Sequence, residues 1–337
     1  MSTIADVAER AGVSKATASR ALSGRGYVAE ATRRRVERAA AELSYSAQSS
    51  AMSLATGRTR TIGVIVPTLE RWYFAEVIAG VQEALLAEDL DLALYAMGEG
   101  SRTRERVFER ILPRKRFDGL VAVGIQPHAR ELDRLVALRT PLVCIGPYTE
   151  HVDSLAIDDV GVARIATEHL LELGHRDIAF IGGADAAAEQ VPLGDRLRVR
   201  GYHEAMTAAG LAASARTAHS PSTLSEGYAA AAELLSDRRG RPTAVVCVCD
   251  ETAIGAIIAA RRLGIAVPAD LSVIGVDDHR DAEMFALTTI RQTPRRQGAD
   301  AVALLLDRLE HPDRPVRHRE AASALTVRNS TTAPRDD

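Results

Sequence analysis

Lys15, Thr17, Ser19 and Arg20 stand on one short stretch, KATASRAL, whose other side chains are alanine and leucine. Two cations and two hydroxyls on a small-residue scaffold suit contact with phosphate oxygens and base edges, and the outer face they share with Ala16 fits a major-groove recognition helix. A second set of groups lies where apolar runs end. Pro67, Gly124, Gly146, Asp158, Gly182, Asp250 and Asp277 follow such runs. Glycines and carboxylates at that edge leave room for a ligand and present it with acceptors.

Each set needs elements to hold it. In TIADVAERAGVSKATASRAL, Ile4, Val7, Ala8 and Ala11 recur at helical spacing, Thr3 with Asp6 resembles a capping box, and Gly12 stands where a left-handed C′ residue is needed. Val13 plugs the turn, and Ser14 caps a second helix that turns Ala18, Ala21 and Leu22 inward. Buried alanines let the helices approach closely, as in a helix-turn-helix. A third helix over 31–43 carries Thr32, Val36, Ala40 and Leu43 inside and Arg33, Arg34, Arg35 and Arg38 outside, with Tyr45 closing the unit. The arginines read either as a solvated face or as phosphate contacts. SAQSSAMSLATGRT, 46–59, is a polar linker that holds one marginal helical turn around Leu54.

From Thr61 the pattern alternates. Short apolar runs at 62–66, 90–96, 119–123, 142–145, 154–157, 177–181, 244–248, 271–274 and 288–290 are separated by amphipathic stretches such as 74–87, 162–173, 201–209, 226–235 and 252–263. This predicts parallel, doubly wound α/β sheets, and about 270 residues is too many for one of them, so two lobes are expected. Ligands of such sheets sit beyond the carboxyl ends of the strands.

Charge separates the same regions. Residues 1–60 hold ten Arg or Lys against five Asp or Glu, while the whole chain has a net charge of −3, so a basic end joins an acidic body. Only the basic end suits a polyanion. No run of about 18 apolar residues and no basic-then-apolar leader occurs, so neither a membrane span nor export is expected. Cys144, Cys247 and Cys249 lack further ligands for a metal site and read as buried thiols of a reducing compartment. No cofactor is expected. With no Gly-rich phosphate loop, no GxSxG and no nucleophile beside His151, His169 or His175, an enzyme is not expected.

Taken in order, TIADVAERAGVSKATASRAL, TRRRVERAAAELSY, LATGRTRTIGVIVP, RFDGLVAVG, IDDVGVARIATEHLLELGHRDIAFIGG, RVRGYHEAM, RPTAVVCVCDETAIGAI, GIAVPADLSVIGVDD and LTVRNST resemble the LacI/GalR family of bacterial transcriptional regulators over essentially the whole chain. The resemblance implies a cytoplasmic bacterial repressor that binds a palindromic double-stranded operator as a homodimer, with a small effector held between two lobes of periplasmic-binding-protein type. It implies a helix-turn-helix domain over 1–45, a hinge over 46–59, one lobe from 60–160 and 292–322, a second from 161–291 and 323–330, and a tail at 331–337.

By position, Lys15, Ala16 and Arg20 match base-reading residues, Thr3, Ser14, Thr17 and Ser19 phosphate contacts, and Leu54 the hinge leucine that enters the minor groove. Asp158, Arg198 and Asp277 match effector contacts, Asp250 is a fourth polar candidate, and Trp72, Tyr73 and Phe74 follow the first strand where the family places further contacts. Carboxylates and a guanidinium beside an aromatic face suit a sugar, with a purine or nucleoside as the competing class. The hinge departs from the family: Ala47 and Gln48 replace the usual Pro-Asn, Met52 stands where Arg is frequent, and Ala29 replaces a Ser or Thr cap. An exported solute-binding protein would share the body, but the missing leader and the helix-turn-helix argue against it. The tail lacks a leucine heptad, so a dimer is expected.

Overall fold

The computed structural model describes residues 2–335 apart from 24–25, 44, 46–57, 99–101, 115, 126–128, 139, 147–150 and 184–191. Leu54, and with it Ala47, Gln48 and Met52, lies outside the described residues.

The chain opens with three helices, α1 (Ile4–Ala11), α2 (Lys15–Ser23) and α3 (Glu30–Glu42). Thr3 and Asp6 form a reciprocal capping box, and Gly12 ends α1 at φ 63°. The Val13 amide returns to the Ala8 carbonyl at 2.9 Å, so the turn is closed from both sides. Val7, Ala8, Ala11, Ala18, Ala21, Val36, Ala39 and Ala40 fill the centre. Of the arginines on α3, Arg35 is exposed and its Nε donates to the Ala11 carbonyl at 2.9 Å, which caps the end of α1. Ala29 leaves α3 without a side-chain cap.

The body follows as β1 (Thr61–Val66), α4 (Trp72–Ala87), β2 (Asp91–Ala96), α5 (Arg102–Arg106), β3 (Gly119–Val123), α6 (Ala129–Leu138), β4 (Leu142–Ile145) and β5 (Asp153–Ala156). Next come α7 (Asp159–Glu172), β6 (Ile178–Ile181), α8 (Leu193–Ala208), β7 (Arg216–Ala218), α9 (Leu224–Ser236), β8 (Ala244–Cys247), α10 (Asp250–Arg262), β9 (Ser272–Asp277) and β10 (Thr288–Arg291). The last elements are α11 (Pro294–Glu310), β11 (His318–Glu320) and β12 (Ala324–Thr326). Two six-stranded sheets result, ordered β11-β5-β4-β3-β1-β2 and β12-β10-β9-β8-β6-β7. Every pairing is parallel except that of β10 with β12. The inner strands are apolar along their length because helices cover both faces; β3, β4, β6 and β8 are buried at every residue.

The chain passes between the sheets three times, at 157–158, 292–293 and 321–323. After the second passage α11 packs on α4 almost backbone to backbone. A Cβ on Gly80 would stand 1.9 Å from the Arg295 carbonyl oxygen, and one on Gly298 2.2 Å from that of Val77. Only glycine permits that approach.

The differences from the sequence pattern share two causes. β7, β11 and β12 have three residues each and no buried position, so no apolar run announces them. Five helices, α4, α7, α8, α9 and α10, begin two to eight residues before their apolar periodicity does. The first turns of α4, α7 and α8 carry polar side chains, Tyr73, Asp159 and Asp195, that face the space between the lobes, and those do not repeat at helical spacing.

Candidate functional site

On α2, Lys15, Ala16, Ser19 and Arg20 are exposed together while Ala18 and Ala21 are buried beneath them. Thr17 is half-buried, and its hydroxyl lies 2.9 Å from that of Ser14. The Ser14 hydroxyl also accepts the Thr17 amide at 3.1 Å, so it caps α2. Thr3 holds the corresponding place on α1, where its amide and hydroxyl both donate to Asp6 Oδ2, at 2.7 and 3.0 Å. Those bonds keep the Asp6 carboxyl below its ordinary range. Thr3 and Ser14 therefore sit at helix N-termini, where backbone amides and the helix dipole favour an anion.

Between the two sheets lies a cavity of about 300 Å³. From the first lobe it is lined by Pro67, Arg71, Tyr73, Phe74, Gly124 and Gly146, which follow the carboxyl ends of β1, β3 and β4. From the second lobe come Asp159, Asp195, Arg198, Ser222 and Asp277, with Gln292 from the passage between them. The walls thus converge on the strand ends, as the sheet topology requires.

Each buried charge is held. Arg198 Nε donates to Asp159 Oδ1 at 2.9 Å, and its Nη1 to the Val248 carbonyl at 2.7 Å. Burial alone would lower the Arg198 pKa, but Asp159, Asp277 and Asp195 outweigh it and raise it above the ordinary arginine value. Burial raises Asp159 despite the Arg198 contact. Asp195 Oδ2 accepts the Ser222 hydroxyl at 2.5 Å. Asp277 ends β9 at φ 129°, a left-handed conformation that turns its carboxylate inward, and it accepts Gln292 Nε2 at 2.5 Å. Burial pushes the Asp277 carboxyl up to about 6, with Arg198 and Arg71 opposing. Arg71 reaches across to Glu251 of α10 at 3.2 Å and lies 5.6 Å from the Phe74 ring centre.

Of the residues singled out in sequence, Tyr73, Phe74, Arg198 and Asp277 are brought together around this cavity. Asp158, Asp250 and Trp72 are not. Asp158 caps α7, accepting the Gly161 amide at 2.9 Å, and its neighbour Asp159 takes the place facing the cavity. Asp250 is fully buried behind the wall, accepting the Thr289 hydroxyl at 2.7 Å and the His279 amide at 2.8 Å. Burial, then the Asp277 charge, pushes it up to about 8. Trp72 packs on His279 of the other lobe with ring centres 4.8 Å apart, and its buried Nε1 has no partner among the described residues. Sequence reasoning missed Arg71, Asp159, Asp195 and Gln292. The doublet Asp158-Asp159 was the available signal, because a helix that starts there must cap with one carboxylate and present the next. Among the described residues no cluster of metal-ligating side chains occurs, and no helix is long and apolar enough to cross a membrane.

Residues 3–48 match the family described as bacterial regulatory proteins, lacI family, and residues 167–331 match the periplasmic binding protein-like domain. The chain is 34% identical to the HTH-type transcriptional repressor PurR of Vibrio campbellii, with 98% of each chain covered. It is 35% identical to the repressor of the same name from Proteus mirabilis, covering 97% of this chain and 94% of that one. Among solved structures, the Lac repressor dimer bound to operator and the anti-inducer ONPF superposes with a TM-score of 0.84 at 26% identity, covering 98% and 99% of the two chains. The CelR–cellobiose complex gives 0.71 at 29% identity over 98% and 100%. A LacI-family regulator from Enterococcus faecium with bound ribose gives 0.73 at 25% identity over 82% and 100%. With its helix-turn-helix, its two-lobed α/β body and full-length relatives above 30% identity, this chain belongs to the LacI family and is a DNA-binding repressor with an effector-binding domain.

Proposed function

We propose that the chain represses transcription as a cytoplasmic homodimer on a palindromic operator and is controlled by a small polyhydroxylated effector, a sugar. Residues 1–45 read the DNA, with Lys15, Ala16 and Arg20 on base edges and Thr3, Ser14, Thr17 and Ser19 on phosphates. Residues 46–59 form the hinge, with Leu54 directed to the minor groove. The lobes, which meet at the passages 157–158, 292–293 and 321–323, close on the effector through Tyr73, Phe74, Arg198 and Asp277, to which the geometry adds Arg71, Asp159 and Asp195. The protein has no catalytic role in this reading.

The observation that carries the effector class is the density of acceptors. Asp159, Asp195 and Asp277 enter one cavity with Arg71 and Arg198. Hydroxyls serve both kinds of partner, since they donate to carboxylates and accept from guanidinium. A volume of about 300 Å³ lies at the small end of the range for small-molecule sites. The neighbours with cellobiose and ribose bound support the same class.

A purine or nucleoside is the second reading, favoured by the relatives called PurR. Against it, Arg71 already lies by the Phe74 ring, and the ring edge is packed so closely on Gly124 that a Cβ there would stand 2.8 Å from Cε1. Phe74 therefore has little free face on which to stack a base. The deciding experiment is a gel shift on the DNA upstream of the protein's own operon, with cellobiose, ribose or adenosine added and Asp277→Ala run alongside. A sugar that changes operator affinity at least tenfold in the parent and not in Asp277→Ala is expected. A response to adenosine alone would replace the first reading with the second.

A further inference from the structure

Behind the cavity three hydrogen bonds run in series from one lobe to the other. Gln292 Nε2 donates to Asp277 Oδ1 at 2.5 Å, Gln297 Nε2 donates to Gln292 Oε1 at 3.0 Å, and the Tyr73 hydroxyl donates to Gln297 Oε1 at 2.8 Å. Both amides are buried, Gln292 to 5% exposure and Gln297 to 3%. Gln292 lies in the second passage between the sheets and Gln297 in the first turn of α11, the helix locked to α4 at Gly80 and Gly298. Tyr73 is in the first turn of α4 and lines the cavity.

A side-chain amide has one donating end and one accepting end, so its orientation is all or none. An ionised Asp277 only accepts, and Gln292 must then present its NH₂ group to it. That leaves the Gln292 oxygen toward Gln297, which must present NH₂ in turn, and the Gln297 oxygen then requires Tyr73 to donate. Turning one amide alone would set like ends against each other, leaving a buried donor or acceptor unmet. The chain therefore has two self-consistent arrangements, the observed one and its complete reversal.

We propose that Gln292 and Gln297 are positioning residues for ligand recognition: they commit the Tyr73 proton to the protein, so that Tyr73 offers the cavity only acceptor lone pairs, and this polarity is set from the opposite lobe by the charge on Asp277. A ligand hydroxyl or N–H that reaches Tyr73 must then donate to it, and a separate one that reaches the ionised Asp277 must do the same. When Asp277 takes up a proton, the series can reverse as a unit and Tyr73 turns its proton to the ligand. The groups that face Asp277 are Arg71, Tyr73, Arg198, Cys249, Asp250 and Glu251. The two arginines favour the ionised state and Glu251 opposes it, while Asp250 keeps its own proton over the range in which Asp277 titrates. The inference rests on the proposed reading of the cavity as the effector site.

The test begins without ligand, by side-chain amide NMR of the full-length protein. The chain has only six Gln and one Asn, so the spectrum is sparse, and Gln292→Leu and Gln297→Leu assign the two signals. The Gln297 amide does not touch Asp277, yet its shift is expected to titrate with the Asp277 midpoint, near pH 6, and to stop titrating in Gln292→Leu and in Asp277→Asn. A Gln297 amide that is silent in the parent, or that still titrates in Asp277→Asn, overturns the proposal; Asp277→Asn decides the matter even if Gln292→Leu fails to fold. Calorimetry with cellobiose is the second arm. Gln297→Leu is expected to weaken binding about tenfold at pH 7, the scale of one hydrogen bond, and to flatten its pH profile between pH 5 and 7. Cellobiose binding that Gln297→Leu leaves unchanged in strength and pH profile overturns the role in recognition. No binding of either cellobiose or ribose by the parent, with the amide titration intact, refutes the sugar reading and leaves the relay standing.

Discussion

The DNA-reading helices and the interlobe cavity both depend on arginines and polar oxygens, but they hold them in opposite ways. On α2 the cations Lys15 and Arg20 are exposed and form no salt bridge among the described residues, where Arg20 Nε bonds along its own helix, to the Ala16 carbonyl at 3.2 Å. In the cavity Arg198 is 11% exposed and already paired with Asp159. An exposed cation stays hydrated until phosphate replaces its counterions, so it contributes to binding and almost nothing to folding. A buried one must be matched in the folded chain before any ligand arrives. Substitutions at the two sites should therefore fail differently, one in affinity and the other in stability.

Arg198→Ala tests that contrast hardest. It leaves Asp159, 6% exposed, without its cation, and loss of one partner of a buried pair costs about 3–5 kcal/mol. A large fall in thermal midpoint is expected; a fall no larger than that of an exposed arginine would remove the distinction. The second largest effect has the opposite sign. The Asp250 carboxyl is pushed up to about 8 from an ordinary value near 3.8. Between those limits the unfolded chain has released the proton and the folded chain keeps it, so stability falls as pH rises through that window. Asp250→Asn, which can keep both hydrogen bonds with the Thr289 hydroxyl reversed, should match the parent near pH 4 and exceed it by several kcal/mol at pH 8. Parallel pH profiles for the two proteins would show that Asp250 is ionised in the fold.

The same difference explains what could be read in the sequence. The helix-turn-helix is encoded within twenty consecutive residues, where helical spacing, Thr3, Gly12 and Ser14 fix each boundary, and the structure adds only that the exposed Arg35 caps the end of α1. The cavity joins positions from Pro67 to Gln292, and no local pattern carries such a set. Its strand ends were legible because buried parallel strands are continuous apolar runs. Its helix starts were not. Placing α7 at Val162 instead of Asp159 exchanged the roles of Asp158 and Asp159, and placing α8 at Gly201 instead of Leu193 hid Asp195. Asp250 and Trp72 were misplaced because their chemistry suits a ligand as well as it suits the Thr289, His279 and Glu251 groups that in fact surround them. Composition does not tell those two environments apart.

Arg20→Ala comes next and should act only on affinity. Losing a bidentate contact to a base costs about 1–3 kcal/mol, so specific operator binding should weaken by roughly ten- to a hundredfold, with discrimination relaxed at one base pair. The thermal midpoint and the sugar response should stay at the parent's values. A uniform loss on all DNA sequences would make Arg20 a phosphate contact instead.

The smallest effect sharpens the comparison most, because at Thr3 the two kinds of site meet. Its hydroxyl is exposed like those on α2, yet it belongs to a capping box like a buried partner. Thr3→Ala should cost about 1 kcal/mol locally, raising hydrogen exchange of the α1 amides about fivefold while those of the two sheets stay unchanged. Thr3→Ser, which keeps the oxygen, should restore protection. The Asp6 side supplies the pH check. Its folded pKa is depressed by the Thr3 bonds, so its contribution is present above the unfolded value near 3.8 and is lost as pH falls through the lower folded value. The exchange difference between parent and Thr3→Ala should therefore be full at pH 6 and shrink only below pH 4. If Thr3→Ala weakens operator binding while α1 exchange is unaltered, the hydroxyl acts on phosphate alone and the cap contributes nothing measurable; if exchange rises and Thr3→Ser restores both properties together, one oxygen serves the fold and the DNA at once.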